Sequence, residues 1–153
     1  MIEYLIKYGD KLGTALIEHL VLVSITLIIS LFMAAVLTLL AMRSRLISKL
    51  LVYSFSVVYS VPSLALFAIL IPVTGLGKVT AIVVLVLYNQ YLLLRNFIAG
   101  LNDVDASIIE SAMGMGMTDT QILMKIRIPL SKRAIFTGIH LAIVSTIGIA
   151  TIA

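Results

Sequence analysis

Residues 17–42 read IEHLVLVSITLIISLFMAAVLTLLAM, and after Glu18 this stretch carries no charged side chain. A helix needs about 20 consecutive apolar residues to cross a bilayer, so the stretch predicts a membrane-spanning helix. It is too long for the apolar core of a secretory signal peptide, and its basic flank follows it rather than precedes it. The fold is therefore expected to be organised around membrane spans.

Three more apolar blocks of similar length follow, at about Ile47–Val73, Val79–Ile98 and Ala134–Ala153. The whole chain is 61% hydrophobic and only 12% charged, whereas soluble domains are about 25% charged. So few charges cannot cover a globule in water, which excludes an ordinary soluble domain. The sequence predicts an all-α, polytopic transmembrane bundle with about four spans.

Lysine and arginine are distributed unevenly between the two ends of these spans. Cytoplasmic loops of membrane proteins are enriched in Lys and Arg, so the richer side is predicted to be cytoplasmic. That side holds Arg43, Arg45, Lys49, Arg95, Lys125, Arg127, Lys132 and Arg133, against Lys7, Lys11 and Lys78 on the other. This arrangement places the N-terminus outside the cell, and it explains the net charge of +4 without nucleic acid as a partner.

The fourth block ends at the last residue, Ala153, with no polar flank after it. We expect from this ending that the chain is cut short.

The segment between the third and fourth blocks, residues 101–133, predicts two short helices beneath the membrane. Asp105 or Ser107 can cap the first helix, and Ser107 and Glu110 have the spacing of a capping box. Gly114 and Gly116 are expected to end it, because glycine adopts the left-handed conformation without strain. Thr118 and Gln121 have the same capping-box spacing for the second helix, which Pro129 is expected to close.

Such a pair of amphipathic helices has two interpretations. Its apolar face can insert into a groove on a cytoplasmic partner protein, or the segment can lie on the lipid headgroups. The helical pattern alone favours neither interpretation.

A more specific pattern runs through the same segment. Glu110-Ser111-Ala112, then Gly116, Ile126 and Pro129, resembles in every spacing the EAA loop of ABC importer permeases. Ser111 departs from the usual Ala, and Ile128 departs from the usual Leu. The resemblance implies that these residues form a coupling helix that docks into a cleft of a separate ATPase subunit.

Other stretches resemble the osmoprotectant branch of that family, whose solutes include glycine betaine, carnitine and choline. They are residues 18–20, 61–66, 102–105, 114–118 and 147–153. The resemblance implies a MetI-like permease fold, with a short external segment at 1–16 and the permease domain at 17–153. It also implies three partners in addition to the lipid bilayer: an ATPase subunit, a second permease subunit, and an extracytoplasmic substrate-binding protein.

Pro62 lies in the middle of the second block, where a proline kinks a helix and frees a backbone carbonyl. Tyr59, Ser60 and Ser63 lie beside it, and a kinked, hydroxyl-rich helix can line a solute path. The alternative is that the serines pack helices together, because small residues dominate membrane helix contacts.

Asn89 and Gln90 lie near the middle of the third block, where neither side chain is compatible with lipid contact. They are expected to form hydrogen bonds between helices or to contact the solute in its path. His19 and His140 are interpreted as an interfacial and a packing residue, so no metal site is predicted.

No catalytic residue or cofactor is predicted. Gly75-Leu76-Gly77-Lys78 lacks the first glycine of a P-loop, and Val79 stands where the Ser or Thr would be. Three other functions remain open: a non-ABC membrane scaffold, a channel or secondary transporter, and an ABC permease for another small solute such as an amino acid or phosphonate.

Overall fold

The computed structural model describes residues 2–152 of the chain, and side chains from residue 9 onward. Its described residues form helices and turns without a β-strand, as the sequence predicts. The helices are α1 (Ile2–Ala41), α2 (Arg45–Ser60), α3 (Ser63–Thr74), α4 (Lys78–Asn102), α5 (Ala106–Gly114), α6 (Asp119–Ile122), a π-helix (Leu123–Arg127), α7 (Ile128–Leu130) and α8 (Lys132–Ala150).

Helix α4 is the centre of the bundle, with α1 and α8 packed against it. Leu93 and Phe97 of α4 meet Ala34 of α1 and Ala142 of α8 in one buried cluster. The helices α1, α4 and α8 are each long and apolar enough to cross a membrane. These three helices correspond to the first, third and fourth predicted spans, although the ends differ.

Small side chains bring α8 unusually close to α4. A Cβ atom added at Gly100 would lie 2.5 Å from the Cβ of Ala134, and one added at Gly138 would lie 2.9 Å from the Cβ of Asn96. Both distances are shorter than any ordinary carbon–carbon contact, so neither glycine can be enlarged without moving a helix. Close backbone approach of this kind is how helices associate in membranes.

The prediction of one kinked helix over the second block is wrong, because the helix breaks completely. Helices α2 and α3 meet at 99°, and Val61 between them is extended, with φ −73° and ψ 130°. Pro62 is the cause, because a proline disfavours the helical conformation of the residue before it. The hydroxyl of Tyr88 in α4 donates a hydrogen bond to the Val61 carbonyl, which satisfies this acceptor at the break.

The broken pair nevertheless carries the chain across the bundle. At one end, the Lys78 ammonium at the start of α4 lies 3.1 Å from the Glu18 carboxylate in α1. At the other end, Ala41 of α1 and Asn102 of α4 border the same cavity. Helices α1 and α4 therefore run in the same direction, and α2 with α3 must return the chain from one side to the other. This makes the pair a fourth span.

The ends of the predicted blocks differ from the observed helices. Helix α1 begins at Ile2, so the predicted boundary between residues 16 and 17 lies inside a continuous helix. Helix α8 begins at Lys132 and ends at Ala150, and Ala153 lies outside the described residues.

Candidate functional site

Helix α5 begins with an aspartate cap. The backbone N–H of Ser107 donates to a carboxylate oxygen of Asp105 at 2.8 Å. Hydrogen bonds from the backbone and then the side chain of Ser107 hold the pKa of Asp105 below its usual range. The predicted capping box between Ser107 and Glu110 is wrong, because Asp105 is the N-cap residue and Ser107 lies inside the helix.

A tight turn ends α5. Gly116 has φ +80°, and its N–H donates to the Met113 carbonyl at 2.9 Å, while the Met117 N–H donates to the Ala112 carbonyl at 3.1 Å. This pair of hydrogen bonds is a Schellman motif, which requires a left-handed residue at the position of Gly116. The prediction for Gly116 is confirmed, whereas Gly114 is the last helical residue and needs no glycine conformation.

The second helix of the unit starts as predicted. The Gln121 N–H donates to the Thr118 hydroxyl at 3.3 Å, and the Thr118 N–H donates to the Gln121 side chain at 2.9 Å. The two bonds form a complete capping box and satisfy donors that the start of a helix leaves free.

The prediction that Pro129 closes this helix is wrong. The helical path continues through a π-helix at Leu123–Arg127 into α7, and the Ile128 N–H donates to the Leu123 carbonyl, five residues earlier. A proline cannot donate to the carbonyl four residues before it, and its ring clashes with that carbonyl. One wider π-turn just before Pro129 accommodates the ring, so the helix turns toward α8 instead of ending.

Two side chains fix the far end of this unit to α4. The Arg127 guanidinium donates to the Leu101 carbonyl at 2.7 Å, and the Ser131 hydroxyl donates to the Gly100 carbonyl at 2.6 Å. Carbonyls at a helix C-terminus lack partners within the helix. The far end of the α5–α7 unit is therefore attached to the C-terminal end of α4.

The six residues of the predicted coupling motif lie on different sides of the unit. Ala112 is buried at 1% exposure, and Ile126 is half-buried. The remaining motif residues are exposed, and they are Glu110, Ser111, Gly116 and Pro129. Large apolar side chains that the motif does not include are exposed beside them, namely Ile108, Met113, Met115 and Met124.

A cavity of about 590 Å³ lies between α5 and the turn that joins α1 to α2. Glu110 borders it together with three basic side chains, Arg45, Lys49 and Arg127. The basic loop at 43–49 and the 101–133 segment therefore lie on the same side of the bundle, as the charge pattern predicts.

The predicted path residues around the break form an open face. Tyr59, Ser60 and Pro62 are exposed and Ser63 is half-buried. The ring of Tyr59 lies 4.8 Å from that of Tyr91 and 5.4 Å from that of Tyr88, measured between centroids. Sequence reasoning missed the two α4 tyrosines, although they directly flank Asn89-Gln90 and continue its run of polar and aromatic side chains.

Asn89 and Gln90 are buried at 1% and 0% exposure. The Asn89 amide donates to the hydroxyl of Thr146 in α8 at 2.8 Å and to that of Ser30 in α1 at 3.2 Å. The Gln90 amide donates to the Ser30 carbonyl at 3.1 Å. Asn89 therefore joins α1, α4 and α8, and Gln90 joins α1 and α4, whereas the predicted contact of either residue with a solute stays a prediction.

The sequence is similar to those of known membrane transport proteins. Residues 26–153 match the family described as binding-protein-dependent transport system inner membrane component. The whole chain is 34% identical to the carnitine transport permease protein OpuCB of Listeria monocytogenes and covers 70% of its length. It is 31% identical to the choline transport system permease protein OpuBB of Bacillus subtilis, again over the whole chain and 70% of the relative.

A more distant relative has the same kind of name. The osmoprotectant import permease protein OsmW of Salmonella typhimurium is 28% identical over 99% of this chain and 73% of its own length. The family match covers most of the chain, and the relatives align with it from end to end. The chain therefore belongs to the family of binding-protein-dependent transport system inner membrane components, the permease subunits of ABC importers.

Proposed function

We propose that this permease imports osmoprotectants of the quaternary ammonium type, such as glycine betaine, carnitine or choline. The observation that carries the proposal is the similarity over the whole chain to permeases named for carnitine and choline transport. These solutes are small, charged and impermeant, so they need a protein path through the four spans.

We further propose that the α5–α6 unit is the contact for a separate ATPase subunit, with the predicted motif residues Glu110, Ser111, Ala112, Gly116, Ile126 and Pro129. Exposed methionines suit a protein contact, because their flexible thioethers adapt to a partner surface. The bonds from Arg127 and Ser131 to the end of α4 offer a route by which ATPase movement reaches the spans. A second permease subunit and an external binding protein complete the proposed assembly.

Uptake of labelled glycine betaine tests this function. Cells without their own betaine importers receive this chain with the ATPase and binding-protein genes that neighbour it, and uptake is measured after an osmotic upshift. We expect uptake that disappears when the ATPase is inactivated by mutation. Uptake that survives this mutation would indicate a channel or secondary transporter instead.

Co-purification separates the remaining outcomes. An ATPase that co-purifies with the chain while the cells take up no quaternary ammonium compound would support a permease for another solute, such as an amino acid or phosphonate. The absence of both uptake and co-purification would favour a membrane scaffold.

A further inference from the structure

Helix α2 has two different faces. Leu51, Val52 and Phe55 pack against a buried cluster of α1 and α4 side chains. A second face carries Lys49, Tyr53, Ser56 and Ser60, spaced by four, three and four residues along one side of the helix. None of the α2 side chains is buried, so this polar and aromatic face is open.

A groove of about 530 Å³ lies between this face and α4. Tyr53 and Ser56 of α2 border it, with Tyr91 and Arg95 of α4 opposite and Lys49 at one end. It is a shallow groove open to its surroundings rather than an enclosed pocket, so it suits a transient contact. Tyr59 extends the aromatic lining past the groove, because its ring stacks on that of Tyr91.

The groove combines two kinds of chemistry. Tyrosine ring faces attract a quaternary ammonium group by cation–π interaction. Lys49 and Arg95 supply positive charge, and in the described part of the chain no carboxylate pairs with either of them. Arg95 is held in place, because its guanidinium donates to the Tyr91 hydroxyl at 2.9 Å and lies 5.8 Å from the centre of that ring.

The positive charge of Lys49 and Arg95 in the groove determines which ligand fits. A simple cation such as choline gains from the rings but is repelled by Lys49 and Arg95. A zwitterion gains from both, because its ammonium meets the exposed ring of Tyr53 while its carboxylate meets the two cations. Tyr91 contributes by holding Arg95 in place. We infer that this groove is a transient binding site for betaine-type zwitterions on their way through the permease, and that Tyr53, Tyr91, Lys49 and Arg95 make it prefer betaines over choline.

The position of the groove suits release of the solute. It lies at the end of the bundle that holds the basic 43–49 loop, which is the predicted cytoplasmic side. An open site on this side binds weakly enough to empty. The inference rests on the proposed function, because it takes its solute class from that proposal.

The test uses the assembled transporter in liposomes, with its ATPase and a saturating concentration of loaded binding protein. Maximal uptake rates are measured for labelled glycine betaine and, separately, for labelled choline. We expect Arg95→Gln to lower the glycine betaine rate by about tenfold, the change that accompanies about 1.4 kcal/mol, and to leave the choline rate unchanged or higher. Tyr53→Leu should lower both rates, and Tyr53→Phe should restore them because it keeps the ring.

Three results would overturn the inference. They are an equal loss for both solutes in Arg95→Gln, a loss in Tyr53→Phe as large as in Tyr53→Leu, and poor recovery of the assembled complex in Tyr53→Leu, which would make the face a subunit contact. Phe136→Leu is the matched control, because Phe136 is an exposed aromatic residue of α8 outside the groove. If the unmodified complex and the groove variants take up both solutes equally well, the inference about the groove is overturned but the proposed function stands. If the unmodified complex takes up neither solute, the proposed function is overturned as well.

Discussion

At the scale of single residues, the bundle is held together by amides and hydroxyls that the membrane interior cannot hydrate. Asn89 bonds to Thr146 and Ser30, and Gln90 bonds to the Ser30 carbonyl. In the bilayer interior no water is present to form hydrogen bonds with an unpaired polar group. These side chains therefore define how α1, α4 and α8 are rotated against one another.

Asn89→Leu keeps the size of the side chain but leaves the Ser30 hydroxyl without this donor. We expect it to lower the free energy of unfolding by roughly 0.6–2 kcal/mol, the range seen for interhelical bonds in membranes. Thermal unfolding of the purified protein, followed by circular dichroism, measures the change.

Thr137→Val is the control, because the exposed Thr137 hydroxyl bonds only within its own helix, to the Arg133 carbonyl. A normal stability of Asn89→Leu combined with lost transport would contradict the structural role and support contact with the solute.

A second residue-scale prediction concerns Gly116. A Cβ atom there would touch nothing within 4 Å, so only the φ of +80° resists substitution. Gly116→Val should strain the turn by about 1–2 kcal/mol and reduce coupled transport, because β-branched residues avoid this conformation. Gly116→Asn should be milder, since asparagine tolerates it. Uptake rate and co-purification of the ATPase are the readouts.

Gly116→Asp separates charge from strain. Its backbone preference is close to that of Asn, so any further loss reports a negative charge at the ATPase contact. Equal uptake by the Asp, Asn and Val variants would contradict the assignment of this turn to coupling.

At the scale of elements, the contact of α4 with α8 sets the spacing of the bundle. Gly100→Ala places a methyl group 2.5 Å from the Ala134 Cβ, and this short, rigid neighbour cannot rotate away. We expect a loss of about 1–3 kcal/mol from overpacking, measured as a lower midpoint of thermal unfolding.

Ala134→Gly in the same chain removes the opposing methyl group and should recover most of that stability. If the double variant is no more stable than Gly100→Ala, the cause is a local effect on α4 and the close packing is not responsible.

The elements also show where sequence reasoning succeeded. Long apolar runs and the Thr118–Gln121 spacing have strong local causes, so about four spans and one capping box were predicted correctly. The effects of Pro62 and Pro129 were harder to predict, because a proline indicates that a helix is distorted but not by how much. One breaks the helix by 99°, and the other is absorbed by a π-turn. The outcome depends on distant partners, such as Tyr88, which no local pattern reveals.

The candidate groove was predictable only in part. Tyr59 was identified from its place beside Pro62, but Tyr53, Tyr91 and Arg95 come together only when α2 packs on α4. A packing angle between two helices is a tertiary property, and a single sequence does not contain it.

At the scale of the whole molecule, the distribution of basic residues predicts which end faces the cytoplasm. Labelling with a membrane-impermeant maleimide tests it cleanly, because the chain has no cysteine. Leu76→Cys lies at an 87% exposed position between α3 and α4, and Met115→Cys lies at a 75% exposed position after α5.

In intact cells we expect label on Leu76→Cys alone, and on Met115→Cys only after the membrane is opened. The reverse pattern would place the α5–α6 unit outside the cell, where no ATPase could meet it, and would contradict the proposed coupling.

The right-angled break between α2 and α3 ties the protein to the thickness of its bilayer. At about 1.5 Å per residue, α2 is about 24 Å long and α3 about 18 Å, so neither covers a hydrocarbon core of about 30 Å alone. An upright α2 would leave α3 flat in the membrane plane, so both must cross at a slant. In a bilayer with longer acyl chains the angle between α2 and α3 would have to open, and with shorter chains it could become sharper. Lipid chain length therefore acts directly on the conformation of the residues around Pro62.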